Sequence, residues 1–223
     1  MRRPSVGKLE TRLHADGYEF FVGVDEVGRG CLAGPVHAGA VAFAAERLRR
    51  TPPKALRTIR DSKQLSAIQR QKAHSIISGI AWARSVASAS VAEIESLGIV
   101  GATFLAMRRA LSGVTVAIPS EKKSILLVDG AHRLPEYLGE QLSVVDGDAM
   151  CWSIAAASIL AKETRDGEMR LLSAQYPGYG FESHVGYGTP QHLDSLRRLG
   201  ISPLHRRNFS PIRELIHAPP RAG

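Results

Sequence analysis

A chain of 223 residues, 44% hydrophobic and 22% charged with 21 Gly and 12 Pro, has the apolar material for one sizeable core. It shows too little bias for a disordered or collagen-like polymer or for an array of domains. The net charge of +8 is local, because Arg47 to Lys72 holds nine basic residues against one acidic, Asp61, and leaves the rest of the chain balanced. Such a cluster attracts polyanions by counterion release, and nucleic acid is the commonest of these.

The start, MRRPSVGKLETR, has no apolar segment behind its two arginines. No signal peptide is legible, and a cytoplasmic protein is expected. Tyr18 to Val24, YEFFVGV, reads as a buried strand ending at Asp25-Glu26, and Val36 to Phe43, VHAGAVAF, as a second. A Pro-containing basic loop follows. Ser66 with Gln69 forms a capping box that opens a helix to about Ser78, and Trp82 to Ala89 alternates as a third strand. Ser90 with Glu93 caps a further helix, which Gly98 interrupts before it resumes to Leu111. Ser124 to Val128, SILLV, is a strand ending at Asp129-Gly130, and Leu142 to Val145 is a weaker one before Asp146-Gly147-Asp148. The longest helical pattern runs from Cys151 to about Leu172, and its AAAS run suits close packing on a sheet. Tyr176 to Pro190 is loop by composition. Thr189-Pro190 opens a helix that Gly200 stops, and Ser210-Pro211 opens a short last one. The alternation is α/β. The longest stretch without Asp, Glu, Lys or Arg, Gly30 to Ala45, contains Pro35 and is too short to span a membrane, so no membrane partner is expected. Cys31 and Cys151 cannot make a disulfide framework, a four-cysteine zinc site or an iron-sulfur site.

Two apolar runs end in aspartate, with Glu26 beside the first. If these strands are neighbours, their carboxylates converge and repel, and a hard divalent cation relieves this. Sites of this sort serve phosphodiester hydrolysis. Aspartate is also a common strand-to-turn residue, which is the plainer reading of each taken singly. GRGCLAG, Gly28 to Gly34, invites a dinucleotide cradle, but Pro35 and a strand follow where that motif needs a helix. Its glycines instead suit a backbone that approaches a ligand closely. HExxH, GxSxG and GxxxxGK[ST] are absent.

The blocks DEVGRG at Asp25, LAGPV at Leu32, DSK at Asp61, LVDG at Leu127, GDA at Gly147, SIAAASILAKETRD at Ser153, YPGYGF at Tyr176, HVGYGT at His184 and SPLHRRNF at Ser202 follow one another in order. Together they resemble bacterial ribonuclease HII over about residues 18 to 212. The resemblance implies an RNase H-like fold, a mixed five-stranded sheet flanked by helices with a small C-terminal helical extension. It divides the chain into an N-terminal extension (1–17), a catalytic domain (18–175) and a C-terminal loop and helical extension that completes the substrate site (176–223). It implies an endonuclease that cleaves the RNA strand of RNA-DNA hybrids and incises duplex DNA 5′ to a single embedded ribonucleotide, leaving 3′-hydroxyl and 5′-phosphate ends. Mg2+ or Mn2+ would be held by Asp25, Glu26, Asp129 and Asp148, the last placed by its distance from Ser158, with Asp146 and Asp166 as nearby alternatives. Gly28, Arg29 and Gly30 match the loop that reads the 2′-hydroxyl, Tyr187 the tyrosine that stacks on the neighbouring sugar, and Lys63 a phosphate contact. A monomer is expected. The sequence departs from the family at Cys31 (commonly Pro), Val185 (Lys) and Asn208 (Ser), and in its long basic insertion before DSK. A nucleic-acid-binding protein without catalysis is the alternative.

Overall fold

A computed structural model describes residues 6–217, so the parts of the two expected terminal extensions at 1–5 and 218–223 lie outside the described residues. Helix α1 (Lys8–Ala15) precedes strands β1 (Phe20–Val27) and β2 (Val36–Ala44). Then come α2 (Ala45–Arg50), α3 (Pro53–Leu56), a 3₁₀ turn (Ser62–Gln64), α4 (Ala67–Ile80), β3 (Ala83–Ala89) and α5 (Val91–Thr115). Strands β4 (Ser124–Asp129) and β5 (Gln141–Val144) are followed by α6 (Gly147–Met150), α7 (Trp152–Gln175), α8 (Phe181–His184), α9 (Pro190–Leu199) and α10 (Ile212–His217). The five strands form one sheet in the order β3-β2-β1-β4-β5. β1–β2 and β2–β3 pair antiparallel, while β1–β4 and β4–β5 pair parallel, giving the expected mixed sheet.

Side chains alternate across a strand, and this sorts the core into two layers. Phe21, Val41, Phe43, Ile125 and Leu127 face α4 and α7, whereas Val22, Val24, Ala38, Ala40, Leu126 and Val128 face α5. Helix α7 lies unusually close to the sheet. A Cβ on Gly23 would stand 2.1 Å from the Ser153 carbonyl carbon, and one on Gly39 2.3 Å from the Ala157 oxygen. Two strand glycines thus meet the alanine-rich face of α7 backbone to backbone, and the helix is held in register over β1.

Both capping boxes form, at Ser66–Gln69 and Ser90–Glu93. Gly98 breaks α5 with φ 69°, and the helix resumes to Thr115. The basic stretch differs from the loop its prolines suggest. Leu48, Leu56 and Ile59 are buried in the core, and these anchors fold it into two short helices and a turn. α1 is likewise docked, with Leu13 in the core and the Glu10 carboxylate accepting from the Ser153 N–H and Oγ at 3.0 Å each. A third apolar cluster, including Leu32, Ala33, Met169, Tyr179, Phe181 and Leu196, joins the segment after β1 to α7 and the C-terminal segment.

Candidate functional site

Parallel pairing of β1 with β4 matches Val24 with Val128, so Asp25 and Asp129 are adjacent at the carboxyl ends of neighbouring strands. Period-two alternation puts both on the α7 face, following Phe21 and Gly23 in one strand and Ile125 and Leu127 in the other. Glu26 is one residue on and faces α5, lining a cleft with Arg29, Thr103, Phe104, Asp129 and His132. β5 delivers Asp146-Gly147-Asp148 beside them, and the Gly147 N–H donates to Asp129 Oδ1 at 2.8 Å. Asp148 stands on α6 in a neighbouring groove of about 480 Å3 with Asp61, Asp146, Lys63 and Arg60.

The electrostatics follow from this convergence. Asp25, 4% exposed, is pushed well above the usual carboxylate range, first by burial and then by the charges of Asp129 and Glu26, with a weaker push from Asp148. The Ser158 hydroxyl on α7 partly offsets this by hydrogen-bonding to it, and Asp25 Oδ1 accepts the Glu26 N–H at 2.8 Å. Burial also raises Asp129, moderated by the Gly147 N–H, by a hydrogen bond with Asp25 and by the nearby Lys63. Asp148 is pushed up to about 6 by burial and then by Asp61 and Asp129. Burial raises Glu26 as well, opposed by Arg29, whose guanidinium lies 3.7 Å from its carboxylate. Four oxygen-donor side chains therefore resist being ionised together. A hard divalent cation relieves that resistance, and the donor set fits one. The gathering is open: among the described residues no three His, Cys, Asp or Glu side chains close into a preformed metal cage.

The remaining residues singled out in the sequence flank this group. Lys63 is exposed, and its N–H is held at 2.9 Å by Asp61, which caps the 3₁₀ turn. Arg29 and Gly30 are exposed at the turn after β1, while Gly28 is buried. Tyr187 is 40% exposed and its hydroxyl contacts the buried thiol of Cys31. Of the two alternatives, Asp146 takes φ 54° and adds to the repulsion on Asp148, whereas Asp166 pairs with Lys162 at 2.8 Å one turn along α7. Charge from Asp166 is felt at Tyr187. Ser158 and the buried Arg165 and Arg206 were not assigned roles from sequence. A signal existed in Ser158 and Arg165, polar residues seven apart and therefore on the same face of α7, the face that begins with the apolar run Ile154 to Ala161.

The family model for ribonuclease HII matches residues 22–212. A ribonuclease HII from Cupriavidus necator is 44% identical over 215 residues, 96% of this chain and 85% of that protein. The chain belongs to the ribonuclease HII family. A second ribonuclease HII, from Cereibacter sphaeroides, is 46% identical over 93% of this chain and 92% of its own length. The ribonuclease H2 of Pyrococcus horikoshii OT3 superposes with a TM-score of 0.68 at 26% identity, covering 88% of this chain and 96% of that one. A Bst ribonuclease HIII solved in complex with Mn2+ shares the fold at a TM-score of 0.67 and 19% identity, covering 91% of this chain and 71% of that one. As a ribonuclease HII, the chain is an endoribonuclease acting on RNA-DNA hybrids, and its family is dependent on divalent metal. The expected RNase H-like fold is the observed one.

Proposed function

We propose that this ribonuclease HII incises duplexes on the 5′ side of a ribonucleotide, single embedded ones included, leaving 3′-hydroxyl and 5′-phosphate ends. The observation that carries the reading is the convergence of Asp25, Glu26, Asp129 and Asp148 about the carboxyl ends of β1, β4 and β5, with Asp25 buried and accepting the Glu26 N–H. These four would hold Mg2+ or Mn2+. Bound there, the ion or ions supply Lewis-acid polarisation of the scissile phosphate and acidify the attacking water.

The chain's own groups orient the reaction. The Glu26 N–H fixes Asp25 and the Gly147 N–H fixes Asp129, so the carboxylates are aimed before substrate arrives. Lys63 and Arg60 line the groove beside Asp148 and offer phosphate contacts against a field that is otherwise repulsive to a polyanion. The turn Gly28-Arg29-Gly30 presents backbone to the 2′-hydroxyl, and Tyr187, from the C-terminal segment, stacks on the adjoining sugar. One chain carries every group invoked, which suits a monomer. The test is a duplex with one ribonucleotide, incubated with Mg2+ and labelled at either end. One nick immediately 5′ to the ribonucleotide, with a 3′-hydroxyl and a 5′-phosphate, is expected. A nick 3′ to it, or a cyclic phosphate terminus, contradicts the mechanism.

A further inference from the structure

The turn after β1 rests on two guanidinium groups, each wholly removed from solvent. Arg165 and Arg206 are both 0% exposed, and burying a charge is costly unless every donor is satisfied. Neither pairs with a carboxylate among the described residues. Instead both are spent on backbone carbonyls. Arg206 donates from Nη2 to Gly28 O at 2.7 Å, from Nη1 to Arg29 O at 2.9 Å and from Nε to Gly34 O at 2.9 Å. Arg165 donates from Nε to Pro35 O at 3.2 Å, from Nη2 to Ala33 O at 3.2 Å and from Nη1 to Val185 O at 2.9 Å. The Arg206 N–H also donates to Leu32 O at 2.9 Å.

Five carbonyls of the segment 28–35 are thereby drawn inward by two side chains. The N–H groups of Gly28, Arg29 and Gly30 bond to nothing among the described residues, whereas those of Cys31, Leu32, Ala33 and Gly34 do. Gly28 takes φ +84°, and a Cβ there would fall 2.0 Å from Arg165 Nε, so its glycine serves the guanidinium. Gly30 is different: a Cβ there would meet nothing within 4 Å. The protein itself does not demand glycine at that position, and the space it leaves opens outward.

We propose that Arg165 and Arg206 are positioning residues that set the sugar-reading face of the turn 28–30, fixing its peptide orientation so that discrimination for a 2′-hydroxyl depends on them. This rests on the reading of the turn given above. A bidentate fork can hold two adjacent carbonyls in one geometry, and a lysine ammonium, though equally charged, cannot. A floppy turn would still meet a duplex through phosphate contacts but would lose the penalty that a rigid set of polar groups imposes on a sugar lacking its hydroxyl.

The experiment compares two duplexes that differ by one 2′-hydroxyl, with binding measured in an Asp129→Asn background in Mg2+ at fixed salt. The ratio of affinities is read for the parent, for Arg206→Lys, Arg165→Lys and Gly30→Ala, together with each Tm. The lysine variants are expected to bring the ratio toward one. In the otherwise wild-type enzyme they are expected to lower kcat on the single-ribonucleotide duplex about 10- to 100-fold, the scale of a misplaced contact. Gly30→Ala, which has room to fold normally, is expected to lose the ratio at an unchanged Tm. A folded lysine variant that keeps the parent ratio while Tm falls overturns the proposal and leaves the guanidiniums structural. If the lysine variants do not fold, a parent ratio in Gly30→Ala overturns it. A parent ratio of one overturns the turn's sugar-reading role and the proposal together.

Discussion

Tyr187, proposed above to stack on the sugar beside the ribonucleotide, has a held backbone and a partly open ring. Its carbonyl accepts the Thr189 N–H at 2.8 Å and is bonded to His192 Nδ1 at 2.9 Å, so the backbone is fixed while the ring stays partly open to solvent. Its hydroxyl meets Cys31, and thiol contacts of that kind are weak. Tyr187→Phe is therefore expected to keep most activity. Tyr187→Ala removes the stacking surface and is expected to cost on the order of 1 to 3 kcal/mol, by analogy with base-aromatic stacking. The loss should be larger on a single embedded ribonucleotide than on a long hybrid, where many positions are open to cleavage. Cleavage of both substrates by both variants checks this. Equal losses on the two substrates for Tyr187→Ala would make the ring a packing residue of its loop.

Among the elements, the segment beneath Tyr187 is held by a chain of histidines whose proton positions the backbone sets. The Ser202 N–H donates to His205 Nδ1 at 2.9 Å, so His205 Nε2 carries the proton and donates to His192 Nε2 at 3.1 Å, leaving His192 Nδ1–H for the Tyr187 carbonyl. His184 stacks on His192 at 4.4 Å. Burial, and then the neighbouring His192, hold His205 down at about 4. A histidine with a depressed folded pKa stabilises above its unfolded value of about 6.5 and loses that contribution as pH falls through about 4, because the unfolded chain binds the extra proton. The shift corresponds to roughly 3 kcal/mol between those limits. Melting curves from pH 7 to 4.5 should show a shallower decline for His205→Asn than for wild type. Parallel curves would mean that the relay does not titrate with folding. None of this was legible beforehand, because His184, His192 and His205 lie far apart by metal-ligand spacing and meet only through packing. Strands were easier to read. Apolar runs located β1, β2, β4 and β5, alternation located β3, and the two capping boxes located α4 and α5. β1 extends beyond Val24 through Asp25 and Glu26 because β2 pairs with it to Val27, which sequence alternation alone does not announce. The short helices of the basic stretch escaped for the opposite reason. Their anchors, Leu48, Leu56 and Ile59, are sparse among charges and prolines, and packing supplies what local pattern lacks.

For the whole molecule, the central arrangement is an acidic centre in a basic surround. Not all of the positive stretch faces substrate. Arg47 donates to the Ala81 carbonyl at 3.0 Å and lies over Trp82, Arg50 pairs with Glu46, and Arg70 is tied to Glu163 and the Leu65 carbonyl. Arg60 and Lys63, by contrast, flank the groove of Asp148, where a polyanion must approach carboxylates that would repel it. The fold thus gathers repelling carboxylates by sheet register and α7 packing and places cationic side chains at their edge, an arrangement that the proposed divalent ion would complete. Asp129→Asn tests it most directly, since the amide keeps the shape and an oxygen for the Gly147 N–H while removing one charge. Without metal the variant should melt at or above the wild-type temperature, because repulsion on Asp25 is relieved. The deciding measurement is nicking of a duplex carrying one ribonucleotide by wild type and Asp129→Asn at equal Mg2+. Wild type should nick it and the folded variant should not, whereas nicking by the variant at the wild-type rate would contradict the four-carboxylate centre.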